Sequence, residues 1–206
     1  MSAVRNIVRE IGRHEVDWCF SPKDFLSFAG RDALDKAFSR LVADGKIRRI
    51  GRGLYDVPRY SKLLNVTLSP DLNQIAQAIA RKHGWRIQPT GAHAANMLNL
   101  STQVPMKVVY LSDGPTKEMR FGNQTLFFKN TSPKKLAAGE LGGLLINALK
   151  EFGKDRVTPE MIAKLRNRFD DRQKKELLAD ARLGPDWIFE VIGEICREER
   201  RTQRWE

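Results

Sequence analysis

The chain has 206 residues, 41% of them apolar, which is enough for one large or two small cores and too much for a disordered chain. Lysine and arginine total 36 against 25 acidic residues, and the net charge of +11 favours an anionic partner, most commonly nucleic acid. No apolar run approaches the ~18–20 residues of a membrane span. The opening MSAVRNIVREIGRHE lacks the apolar stretch of a secretory signal. Cys19 and Cys196 have neither metal spacing nor a disulfide framework, so the expected compartment is the cytoplasm.

Residues 1–58 carry 11 basic and 8 acidic side chains, net +3. Residues 59–130 carry 9 and 3, net +6, and residues 131–206 carry 16 and 14, net +2. The middle is the most one-sided stretch. The last is densely charged but balanced, as on the exposed faces of amphipathic helices.

Four hydroxyl–proline pairs, Ser21-Pro22, Ser69-Pro70, Ser132-Pro133 and Thr158-Pro159, mark helix starts. The first helix is expected over 3–12, with Val4, Ile7, Val8 and Ile11 on one face. A short second helix follows Ser21 and ends at Gly30. A third spans 31–44, where Leu34, Phe38, Leu41 and Val42 repeat at helical spacing. Two short runs then flank Gly51-Arg52-Gly53 in a hairpin pattern, 46–50 and 54–57. Residues 59–68 read as a linker. Beyond it the expected elements are a helix over 70–83, a strand at 85–88, a short helix at 91–98 and a strand at 107–111. A second hairpin follows across Gly122-Asn123, then helices over 134–152, 159–168, 171–182 and 185–200.

Three helices followed by a glycine-turned hairpin is the order of a winged helix-turn-helix, whose third helix enters the major groove while the hairpin lies along the backbone. The fold class is therefore expected to be α+β: a winged helix-turn-helix over 1–58 and a mixed α/β domain over 69–206 that ends in a helical bundle. With the apolar stripe of the third helix turned inward, Arg31, Lys36, Ser39 and Arg40 face outward as donors to phosphates or guanine edges. Asp32 and Asp35 oppose DNA unless they read a cytosine amino group, hold a neighbouring arginine or serve the helix dipole. Strand periodicity sends Arg48 and Arg49 to opposite sides, and one of them, with Arg52 at the tip, should face the duplex.

The stretch FSRLVADGKIRRIGRGLYDVP resembles the N-terminal winged helix of the AbiEi-type antitoxins of bacterial type IV toxin–antitoxin systems. PTGAHAANMLNLSTQVPMKVVYLSDG resembles the second domain of proteins placed in that family, and the resemblance covers about residues 1–195. It implies an antitoxin that represses its own operon through the N-terminal domain and neutralises a nucleotidyltransferase-fold toxin through the C-terminal one. The DNA contacts it implies fall on Arg31, Lys36, Ser39 and Arg40 of the third helix and on Arg49 and Arg52 of the wing. The implied partners are double-stranded operator DNA, bound as two copies on an inverted repeat, and the toxin.

The middle segment offers few groups for chemistry. His93 reads as a packed or surface histidine. Asp113, Lys117 and Glu118 faintly resemble a metal-dependent nuclease motif, but Asp113-Gly114-Pro115 reads first as a turn and the lysine precedes the glutamate. Gly91 and Gly142-Gly143 form no phosphate loop, and close helix packing is the plainer reading of the paired glycines. His14, Trp18 and Cys19 lack ligand spacing. No catalytic residue, metal or cofactor is therefore expected. What remains is positive charge at Arg81, Lys82, Arg86, Lys107, Lys117, Arg120 and Lys129. Phe121, Phe127 and Phe128 lie nearby, either as core or as a stacking platform. Near the end, Arg197, Arg200, Arg201 and Arg204 alternate with glutamates and read as a solvated terminus. Two alternatives stay open: a nuclease tethered by a winged helix, and a repressor whose second domain takes a small effector.

Overall fold

A computed structural model describes residues 3–197 apart from Val16 and Val104. Arg200, Arg201, Arg204 and the expected end of the last helix lie outside these residues. The fold is mixed α+β, with helices and small antiparallel sheets. The chain divides into two compact units, Met1–Arg86 with Arg120–Leu126, and Ile87–Met119 with Phe127–Glu206. The first division therefore falls after Arg86, beyond the 58/69 boundary expected from sequence.

The first unit opens with α1, Ala3–Ile11. The expected second helix is a single 3-10 turn, Pro22–Phe25, held by Asp24, whose carboxylate accepts from the Ser21 N–H at 2.7 Å and the Ser21 hydroxyl at 3.1 Å. Helix α2, Arg31–Ala43, buries Leu34, Ala37, Phe38 and Leu41 along one stripe. It ends in a Schellman motif: the Lys46 N–H reaches the Leu41 carbonyl at 2.9 Å and the Gly45 N–H reaches Val42 at 3.0 Å. Gly45 sits there at φ 68°, a region that penalises side chains. Strands β1, Arg48–Gly51, and β2, Leu54–Asp56, form an antiparallel ribbon. Phe20 extends it by one bridge, exchanging two 2.9 Å backbone hydrogen bonds with Tyr55.

Aromatic rings fill the core of this unit. Phe20, Phe25 and Phe38 are buried and meet edge-to-face at 5.5–5.9 Å, and Tyr55 of β2 packs 4.7 Å from Phe38. Edge-to-face contact of this kind adds ~0.5–1.5 kcal/mol per pair beyond area burial, which locks the ribbon against α2. The expected linker contains two short paired strands, β3 (Tyr60–Ser61) and β4 (Val66–Thr67). Helix α3, Leu72–His83, then packs against the 3-10 turn and β2. Its cap is Asp71, whose carboxylate accepts from the Gln74 N–H at 2.9 Å, and not Ser69 of the Ser-Pro pair.

A four-stranded sheet runs in the order β5-β6-β8-β7, with β5 Ile87–Thr90, β6 Lys107–Ser112, β7 Lys117–Phe121 and β8 Gln124–Asn130, and the division into units assigns its Arg120–Leu126 stretch to the first. Strands β5 and β6 are antiparallel, from Ile87 opposite Ser112 to Thr90 opposite Val109. Helix α4, Gly91–Met97, packs on α5, Glu140–Phe152, and α6 (Pro159–Arg168), α7 (Asp171–Ala181) and α8 (Asp186–Cys196) follow. The single helix expected over 134–152 is broken: a 3-10 turn at Pro133–Leu136 stops before Gly139, and α5 begins afresh. Asp180 explains the restart, because its carboxylate accepts from the Gly139 N–H at 2.8 Å. A Cβ on Gly142 would stand 2.2 Å from the Asp180 carboxylate oxygen, and one on Gly143 would stand 2.2 Å from the Gln88 amide nitrogen. The paired glycines thus admit polar side chains rather than a second helix backbone. Leu145, Leu149, Leu165, Leu177, Ile188 and Ile192 form the buried centre.

Candidate nucleic-acid interface

Helical periodicity aligns Arg31, Asp35 and Ser39 on one edge of α2, four residues apart. Arg31 Nε lies 3.0 and 3.1 Å from the two carboxylate oxygens of Asp35, and the Ser39 hydroxyl donates to the Asp35 carbonyl at 2.9 Å. Lys36 and Arg40 are exposed on the neighbouring edge of the same helix.

The ribbon separates its two arginines as strand alternation requires. Arg48 turns inward: Nε and Nη2 donate to the two oxygens of the buried Asp56 at 3.0 and 2.5 Å, and Nη1 donates to the Leu68 carbonyl at 3.2 Å. The Asp56 hydrogen bond raises the Arg48 pKa, against a smaller opposing effect of burial. Arg49 is exposed on the other side, and Arg52 is exposed at the turn. Gly53 holds that turn at φ 65°, and a Cβ there would stand 3.2 Å from the Lys82 ammonium. Lys82 donates to the Arg52 carbonyl at 2.7 Å, while Lys23 donates to the Lys82 carbonyl at 3.1 Å. Arg81 completes the fastening: it donates to Asp24 at 3.1 Å and to the Cys19 carbonyl at 2.6 Å, and its guanidinium lies 5.6 Å from the Trp18 ring centre. Burial, reinforced by Asp56, pushes the Cys19 thiol from 9.0 to about 12, so it is a poor nucleophile.

Between α2 and the ribbon lies an open groove of about 670 Å³. Four of the six residues expected to contact DNA line it: Arg31, Ser39, Arg49 and Arg52. Lys36 and Arg40 do not. Lys23, Lys82 and His83 also line it, and sequence reasoning assigned none of them to this site. The periodicity of Leu72, Ile75 and Ile79 announces the helix that carries Lys82 and His83 but not the surface it packs on, and only the Ser-Pro turn beside Lys23 offered a local cue.

In the second unit, His93 is buried, with its Nε2 3.1 Å from the Tyr110 hydroxyl. Glu118 pairs with Lys107 at 3.2 Å, and Lys107 also lies 4.2 Å from the centre of the Phe127 ring. Phe128 is buried, and Phe121 and Phe127 are half-buried. Among the described residues no group of three or more His, Cys, Asp or Glu could hold a metal ion, and no helix is long and apolar enough to cross a membrane.

A family of unknown function, DUF6088, matches residues 6–177. The chain belongs to that family. No curated protein matches it. A solved structure, the RV2827C protein from Mycobacterium tuberculosis, is 14% identical, covers 95% of this chain and 75% of its own, and has a TM-score of 0.41. A likeness at that level says nothing about what this DUF6088 chain binds.

Proposed function

We propose that the first unit is a winged helix-turn-helix that binds duplex DNA. Helix α2 enters the major groove and the β1–β2 ribbon serves as the wing. The observation that carries this reading is the shared groove, where Arg31 and Ser39 of the helix face Arg49 and Arg52 of the ribbon, with Lys23 and Lys82 beside them. Cations on two sides of one concavity suit phosphates flanking a DNA groove. Lys36 and Arg40, on the neighbouring edge of α2, are the donors for base edges. The resemblance to AbiEi-type antitoxins extends the proposal: a cytoplasmic autorepressor, bound as two copies on an inverted repeat, whose second unit counters a nucleotidyltransferase-like toxin. The nuclease alternative gains nothing from Glu118, which is engaged by Lys107.

The test is binding of the full chain to its own promoter and to random duplexes across salt concentrations. Arg49→Ala combined with Arg52→Ala should weaken both and flatten the log–log salt slope by about 1.8, roughly 0.9 per lost phosphate contact. An unchanged slope refutes the wing. For the antitoxin role, co-expression should rescue growth from the toxin encoded beside the gene, and absence of rescue refutes that part alone.

A further inference from the structure

The second unit holds a separate concavity of about 590 Å³, unrelated to the groove on α2. Five cations line it: Lys129 at the end of β8, Lys134 and Lys135 on the 3-10 turn, Lys150 on α5 and Arg182 after α7. No carboxylate lines it. None of the five side chains makes a hydrogen bond or ion pair with a described residue. All five are exposed, and like charges gathered on the lining of one concavity repel one another unless an anion joins them. Burial, together with the charge of Lys135, lowers the Lys150 pKa, so these ammonium groups already feel one another.

The frame around the charges is built rather than loose. Gln88 and Asn147 are both more than nine-tenths buried and line the concavity. The Gln88 amide donates to the Ala138 carbonyl at 2.6 Å, and the Asn147 amide donates to the Pro89 carbonyl at 3.0 Å. Gly143 makes room for Gln88 on α5, because a Cβ there would stand 2.2 Å from the Gln88 amide nitrogen. Asp180, whose carboxylate lies at the start of α5, is committed to the Gly139 N–H. Thr131 and Ser132 add hydroxyls to the rim, while Leu111, Ile146 and Leu183 supply an apolar wall.

We propose that this concavity is a binding site for a small ligand carrying a chain of phosphates, of the nucleoside triphosphate class. Five positive charges match a triphosphate, whereas a single phosphate leaves most of them uncompensated. The size is that of a small-molecule pocket. The apolar wall is the surface available to a base and sugar. The site goes beyond the DNA reading and does not depend on it.

The test is calorimetric titration of the full chain with ATP, GTP, inorganic tripolyphosphate and adenosine. The triphosphates should bind one to one and adenosine should not. Tighter binding of a nucleotide than of tripolyphosphate identifies a nucleotide ligand, and equal binding identifies the phosphate chain alone. Lys135→Ala with Lys150→Ala removes two exposed charges and should weaken triphosphate binding at least tenfold. Arg49→Ala with Arg52→Ala, which strips the other groove, should leave it unchanged. Three results overturn the proposal: no triphosphate binding at millimolar ligand, binding that survives the double lysine variant, or binding lost only in the double arginine variant.

Discussion

Asp35 is the acid in the groove, and Asp35→Asn tests whether that groove meets DNA. Its carboxylate accepts from Arg31 at 3.0 Å, one helical turn away, with both side chains more than half exposed. An exposed pair of this spacing contributes ~0.3–0.5 kcal/mol at most, and the order with arginine nearer the helix start is the weaker one. Folding stability should therefore change by less than ~0.5 kcal/mol. The effect on DNA should be larger and opposite in sign. A carboxylate about 6 Å from a phosphate costs ~0.7 kcal/mol even at the dielectric of water, about threefold in affinity. Arg31, no longer shared with a carboxylate, gives its whole charge to the phosphate it faces, which steepens the salt slope by up to roughly 0.9. Fluorescence anisotropy on a random duplex at several salt concentrations reads both quantities. Unchanged or weaker binding with an unaltered slope would refute the placement of this edge of α2 against the backbone. Tighter binding to random duplex with a loss of promoter preference would instead give Asp35 a base to read.

Two further outcomes test the frame. Gly142→Ala gains ~1 kcal/mol of helix propensity, yet its Cβ would sit 2.5 Å from the Asp180 Cβ, which only backbone movement relieves. The net result should be a loss of about 1–3 kcal/mol in denaturant unfolding, and a more stable variant would contradict the packing. Cys19 should resist thiol reagents in the native protein near neutral pH. Because folding raises its pKa from 9.0 to about 12, the unfolded chain loses the proton first. This contribution is complete below pH 9.0 and disappears as pH climbs toward about 12, so Cys19→Ala should flatten the alkaline fall in stability. An identical alkaline limb in both proteins would remove Cys19 from that account.

Much of the first unit was legible because its signals are local. The stripe Leu34, Phe38, Leu41 announced α2, and Asp44-Gly45 announced its end, since the Schellman turn needs the left-handed residue at that place. The glycines at 51 and 53 announced the ribbon. Alternation separated Arg48 from Arg49, but only the Asp56 carboxylate, eight residues on, decides which of them turns inward. Failures came where the deciding partner is remote in sequence. The expected boundary before α3 rested on charge and a stretch without periodicity, and neither signal shows that Arg81 and Lys82 bond to Asp24 and Arg52. The break before α5 depends on Asp180, 41 residues beyond Gly139. The cationic concavity of the second unit collects residues from four separate elements, so no window of sequence displays it.

The ammonium of Lys82 on the Arg52 carbonyl changes how the smallest useful fragment should be cut. A peptide ending at Pro58 keeps every arginine of the ribbon but loses the cord that moors its tip. Untethered, that hairpin end samples many shapes, and each encounter with an anion must first freeze one of them. A fragment reaching Arg86 keeps that mooring.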